Sequence, residues 1–72
     1  MVEEVEKVAV PVGERIREAR HRQGLSQAVL ADKLGFDQSE ISRIESGERQ
    51  VKDTNKQALA DILDENIMNL FF

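Results

Sequence analysis

The chain has 72 residues, a formal net charge of −4 and no cysteine. This length allows one small domain with a marginal hydrophobic core, and the lack of cysteine excludes disulfides and cysteine-based zinc sites. No apolar run approaches the ~18 residues of a membrane span, and no basic start leads into an apolar stretch as in a signal peptide. We therefore expect a cytoplasmic protein that does not contact a membrane.

The charges are unevenly distributed along the chain. Residues 15–52 contain eight basic and six acidic side chains, whereas the rest contains two basic and eight acidic ones. The middle therefore carries +2 and the remainder −6, and local potential rather than net charge governs an encounter with phosphate. This distribution permits a nucleic-acid contact. The alternative is that these charged side chains only lie on solvent-exposed helix faces and bind no partner.

Residues 1–12 are predicted to form an acidic N-terminal arm, separate from a domain that spans residues 13–72. The valines of the arm either line one side of a short helix or alternate as in an edge strand, to which Pro11 would limit them. The arm is accordingly either a frayed tail or a contact with a partner chain.

Residues 26–47 predict two short helices joined by a tight turn. Ser26 and Asp37 each place a side-chain oxygen directly before a helical run, which is the position of an N-cap. Gly35 lies between the two runs, where the backbone must become left-handed. Apolar spacing gives each helix one buried face. The free face of the second helix carries Gln38, Ser39, Ser42 and Arg43.

The same periodicity predicts the remaining helices. A first helix spans about residues 14–23, and a fourth begins at Thr54, where Thr54 and Gln57 form a candidate capping box, and ends near Asp64. Asn66 is the candidate cap of a last short helix. The prediction is thus an all-α chain of five helices.

Two segments carry a resemblance to a known family. The sequence SQAVLADKLG followed by QSEISRIESG is similar to the Cro/repressor type of helix-turn-helix domain, found in phage repressors and many small bacterial regulators. The resemblance covers about residues 13–71. It implies a compact five-helix Cro/repressor-like fold. It also implies a transcriptional regulator that binds double-stranded operator DNA as a homodimer and reads the major groove.

The resemblance assigns the contacts with DNA. A glutamine can bond adenine bidentately and an arginine can do so with guanine, whereas a glutamate either accepts from cytosine or repels phosphate. The predicted base contacts are Gln38, Ser39, Glu40 and Arg43. Phosphate contacts are expected where the second helix begins, because free N–H groups point outward there, and in the linker after the third helix. These residues are Ser26, Gln27, Arg20, Arg49, Gln50 and Lys52. Arg17 or Arg22 is expected to assist them.

The resemblance also pairs Arg20 with Glu45 as a structural salt bridge between the first and third helices. The alternative is two unrelated surface charges. Catalysis has little support, because the chain has one histidine, no cysteine or tyrosine and no glycine-rich phosphate loop. His21 has no second ligand at metal spacing. We therefore predict neither enzyme activity nor a metal or cofactor.

The C-terminal run from Ile67 to Phe72 is apolar at five of its six positions. A self-complementary patch is needed for a homodimer, and this run is the best candidate. The predicted interface residues are Ile67, Met68, Phe71 and Phe72. The acidic arm and this tail also favour an alternative function, a protein-interaction module of antitoxin or coactivator type with secondary DNA contact.

Overall fold

The computed structural model describes residues 10–72, and these residues form five α-helices and no strand. The helices are α1 (Val12–Arg22), α2 (Gln27–Leu34), α3 (Gln38–Ser46), α4 (Asp53–Leu63) and α5 (Ile67–Phe71). The predicted all-α, five-helix class is confirmed. The predictions for residues 1–9 of the arm lie outside the described residues.

The turn between α2 and α3 is fixed by its caps. The Ser26 hydroxyl accepts a hydrogen bond from the backbone N–H of Val29 at 3.1 Å and begins α2. Gly35 ends α2 with φ of 75°, a left-handed conformation that glycine adopts without steric cost. The Glu40 carboxylate accepts from the backbone N–H of Asp37 at 3.2 Å, which caps the start of α3. The two helices are thus held at a defined angle.

The core is formed by one face of each helix. Helix α1 approaches the end of α3 so closely that a Cβ on Gly13 would lie 2.4 Å from the carbonyl oxygen of Ile44 and 2.5 Å from that of Glu45. Only glycine permits this contact without a backbone shift. The buried apolar side chains are Ile16, Ala19, Leu30, Ala31, Ile41, Ile44, Leu59, Ala60, Leu63 and Leu70.

The start of α4 differs from the sequence prediction. The helix begins at Asp53 with Lys52 as its N-cap, and Lys52 makes no side-chain capping bond. The predicted capping box of Thr54 and Gln57 is wrong, because Gln57 Nε2 instead donates to Asp61 Oδ1 at 2.9 Å. A glutamine and an aspartate four residues apart are neighbours on a helix surface, so this bond competes with capping. The acidic Asp53 in the first turn complements the helix dipole.

The first helix begins close to its predicted position, and the last helix has its predicted cap. Helix α1 begins at Val12, inside the predicted arm, with Pro11 as its N-cap. Proline has a fixed φ compatible with a helix entry, so the helix starts two residues earlier than expected. At the other end, the Asn66 side chain accepts from the backbone N–H of Met68 at 2.8 Å and caps α5 as predicted.

Candidate nucleic-acid interface

Helix α3 presents a polar face to solvent. Ile41 and Ile44 are buried in the core, whereas Gln38, Ser39, Ser42 and Arg43 are exposed. An α-helix with its side chains is about 10–12 Å across, which matches the ~12 Å width of a DNA major groove. The face has the hydrogen-bonding side chains and the dimensions to enter that groove.

A buried ion pair joins α1 to the end of α3. Arg20 Nε lies 2.6 Å from Glu45 Oε2, Arg20 Nη2 donates to Glu45 Oε1 at 3.0 Å, and the two side chains are only 8% and 5% exposed. Arg20 Nη1 also donates to the carbonyl of Leu25 at 2.9 Å. The guanidinium is enclosed by these acceptors, so we do not include Arg20 among the proposed phosphate contacts.

Gln27 connects this ion pair to the start of α3. Its Nε2 donates to Glu45 Oε1 at 3.0 Å, and its Oε1 accepts from Gln38 Nε2 at 3.5 Å. A primary amide has two N–H donors and one carbonyl acceptor, so Gln38 keeps one donor and its oxygen for another partner. That remaining pair matches the bidentate contact that a glutamine makes with adenine. The side chain of Gln27 therefore orients Gln38.

Glu40 has a different environment from the one predicted. Its carboxylate accepts from Arg49 Nη1 at 2.9 Å as well as from the N–H of Asp37, and its side chain is 33% exposed. Glu40 follows Gln38 by two residues, which turns it to the opposite side of the helix at 3.6 residues per turn. We therefore assign Glu40 to the positioning of Arg49 and not to a base contact.

Groups that suit phosphate lie on both sides of α3. On the Gln38 side, α2 begins at Ser26, whose cap uses the N–H of Val29 and leaves those of Gln27 and Ala28 at the helix end. On the Glu40 side, the linker between α3 and α4 carries three exposed side chains that can donate hydrogen bonds to phosphate. These linker residues are Arg49, Gln50 and Lys52.

The C-terminal helix leaves apolar surface uncovered. Met68 is 59% exposed and Phe72 is 72% exposed, while Ile67 and Phe71 are half-buried. The ammonium of Lys56 lies 5.3 Å from the ring centre of Phe71 and 5.6 Å from that of Phe72, within the range of cation–π attraction. Large apolar side chains exposed together are typical of a contact surface.

Two features are absent from residues 10–72. No helix in this range has the length and apolar character to cross a membrane, and no three side chains are grouped as metal ligands.

The class of the protein follows from the fold and from a family comparison. A family model described as helix-turn-helix domain matches residues 11–65. The chain therefore belongs to this family, and its fold is that of the Cro/repressor-type domains. The resemblance found in the sequence is confirmed.

Three solved structures show the similarity in detail. The restriction-modification controller protein C.AhdI from Aeromonas hydrophila is 42% identical over 86% of this chain and 94% of its own, with a TM-score of 0.78. The P22 c2 repressor, solved with synthetic operator 9T, is 31% identical over 86% and 94%, with a TM-score of 0.80. SinR, a master regulator for biofilm formation solved with DNA, is 27% identical over 85% and 98%, with a TM-score of 0.77. Among curated proteins, no match was found.

Proposed function

We propose that this protein is a cytoplasmic, repressor-like transcriptional regulator that binds double-stranded operator DNA as a homodimer. One observation carries the proposal. The buried pair of Arg20 and Glu45 holds Gln27, and Gln27 contacts Gln38 at 3.5 Å, so the amide of Gln38 is oriented before any ligand arrives. Such preorganisation lowers the cost of ordering side chains on binding. The DNA complexes of SinR and the P22 c2 repressor support the same function.

Base recognition is assigned to three exposed residues of α3. Gln38 offers its amide to adenine, Arg43 offers its guanidinium to guanine, and Ser39 adapts to either kind of base. Phosphates are bound on both sides of the helix. Ser26 and the N–H groups that begin α2 bind one strand, and the linker residues bind the other. The linker set is Arg49, Gln50 and Lys52.

Arg43 and Lys52 provide a matched pair of variants. Each change to alanine removes one exposed positive charge, from the face of α3 in one variant and from the linker in the other. We expect Arg43→Ala to relax the sequence preference at one base pair, at a cost of ~1–3 kcal/mol in binding free energy. We expect Lys52→Ala to weaken binding to all sequences alike. Selection of binding sites from random duplexes measures both. If both variants retain the wild-type preference, Arg43 does not read a base.

The homodimer is proposed to form through the C-terminal patch of Ile67, Met68, Phe71 and Phe72. One recognition helix reads only a few base pairs, whereas two copies related by a two-fold axis read half-sites about 34 Å apart. Helix α5 packs against α1 and α4, which leaves α3 free to enter the groove. The exposed surfaces of Met68 and Phe72 are the part of the patch that a second copy would cover.

Met68→Lys and Phe72→Lys are expected to convert the dimer to a monomer, because each would bury a charge at the interface. Both side chains are exposed in the monomer, so the fold should be retained. Sedimentation at micromolar concentration measures the assembly, and thermal unfolding checks the fold. A wild-type chain that remains monomeric on palindromic DNA would contradict the dimer. A dimer unaffected by either change would move the interface to residues 2–12.

A second candidate function rests on the same exposed patch. If a different protein covers Met68 and Phe72, the chain is an interaction module of antitoxin or coactivator type, and its contact with DNA is secondary. The affinities for selected and for random duplexes distinguish the two functions. A regulator binds selected duplexes much more tightly than random ones, whereas an interaction module does not discriminate between them.

A further inference from the structure

A polar cleft of about 280 Å³ lies between α1, the start of α2 and the second half of α3. The Arg20–Glu45 pair and Gln27 form its inner wall. Its outer rim is formed by Arg17 and His21 of α1 and by Ser42 and Ser46 of α3. None of these four rim residues belongs to the proposed base-reading or phosphate-binding sets.

The cleft lies beside the proposed DNA-reading face. Gln38, Ser42 and Ser46 are spaced four residues apart and therefore lie along one side of α3. If the start of α3 enters the groove, then its end, ~12 Å further along the axis, emerges at the edge of the groove, where a sugar-phosphate backbone runs. Gln27 at the start of α2 borders the cleft, so the proposed phosphate site of α2 is adjacent.

The chemistry of the cleft suits an anion. The charge of Glu45 is compensated by Arg20, so the net positive charge comes from Arg17. Arg17 Nη1 lies 3.9 Å from Glu14 Oε1, and both side chains are about half exposed, so this ion pair is weak enough to be replaced. Ser46 already donates its hydroxyl hydrogen to the carbonyl of Arg43 at 3.0 Å. Donors for a ligand are therefore Arg17, the hydroxyl of Ser42 and a ring N–H of His21.

We propose that this cleft binds a backbone phosphate of DNA, next along the strand from the phosphate at the start of α2, and that Arg17 is its principal ligand. The inference rests on the proposed function. It adds a phosphate contact from α1, which lies outside the helix-turn-helix segment itself. Such a contact fixes the orientation of the domain on the duplex and carries no base information.

Arg22 supplies the matched control for Arg17. Both arginines lie on α1, are more than half exposed and lose one positive charge on change to alanine. Arg22 is directed to Glu65 at 2.9 Å and does not line the cleft. We expect Arg17→Ala to weaken binding to a selected duplex about tenfold at moderate salt, as for a charge-assisted hydrogen bond. The slope of log affinity against log salt should fall by about 1 per half-site.

The position of the phosphate can be tested with duplexes that carry one neutral methylphosphonate. Replacement at the phosphate in the cleft should weaken the wild type but not Arg17→Ala, while Arg22→Ala should respond as the wild type does. Equal affinities and salt slopes for Arg17→Ala and Arg22→Ala would overturn the inference. Equal unfolding temperatures of the two variants exclude a folding defect. A wild-type protein that binds no duplex at low salt would overturn the proposed function, and the assignment of a DNA phosphate to this cleft would then fail as well.

Discussion

Arg20→Ala and Glu45→Ala are each expected to lower the free energy of unfolding by about 3–5 kcal/mol. Their side chains are 8% and 5% exposed, and truncation of either leaves the other charge buried without its partner. A domain of this size has only a small free energy of unfolding, so each variant should unfold at a much lower urea concentration than the wild type. Loss of Glu45 also removes the acceptor that orients Gln27.

A double-mutant cycle in urea unfolding measures the coupling of the pair directly. The double change to alanine should cost much less than the sum of the single changes, because it leaves neither charge unpaired. Arg22→Ala is the control, since its bridge to Glu65 has an exposed arginine and is worth only ~0–1 kcal/mol. Additive, near-zero effects at Arg20 and Glu45 would show that the pair does not hold α1 to α3.

Affinity for DNA is expected to fall steeply with salt. The proposed phosphate contacts include the cations Arg49 and Lys52, and Arg17 brings the number to about 3 neutralised phosphates per half-site, each of which releases condensed counterions on binding. The proposed dimer would then neutralise about 6 phosphates, so its affinity should fall roughly 10³-fold between 50 and 200 mM salt. The basis is the +2 segment of residues 15–52 and the proposed phosphate-binding residues on both sides of α3.

Fluorescence anisotropy with a labelled duplex at several salt concentrations gives this slope. Lys56→Ala is a useful control, because this lysine lies at the C-terminal patch over the rings of Phe71 and Phe72. At protein concentrations high enough to keep the chain dimeric, the Lys56→Ala variant should show the same salt slope as the wild type. A wild-type affinity that is flat between 50 and 200 mM would mean that phosphate contact is not the main attraction.

The local elements of the fold could be predicted because each is specified by nearby residues. Ser26 as a cap, Gly35 as a left-handed stop and the apolar spacing of α2 and α3 all act within a few positions of the chain. The start of α4 was predicted wrongly for the same reason. The sequence contains both a capping pattern at Thr54 and Gln57 and a competing partner at Asp61, and local pattern alone does not rank them.

The connections between helices could not be derived from spacing. The contacts of Gln27 with Glu45 and Gln38 join α2 to two positions of α3, and they depend on the angle between these helices. The bridge from Glu40 to Arg49 also joins positions that spacing alone does not bring together, and it turns Glu40 away from a base contact. One signal was available: an aspartate followed three residues later by a glutamate is a capping pattern, and it indicated that Glu40 faces the backbone of Asp37.

The central claim is that α3 reads DNA sequence in a two-fold related pair of chains. Selection of wild-type protein against a pool of random duplexes at low salt tests it most directly. We predict enrichment of a palindromic sequence whose half-sites are about one helical turn apart, with two chains bound to each duplex. Recovery of no preferred sequence, or of a single half-site bound by one chain, would contradict the claim.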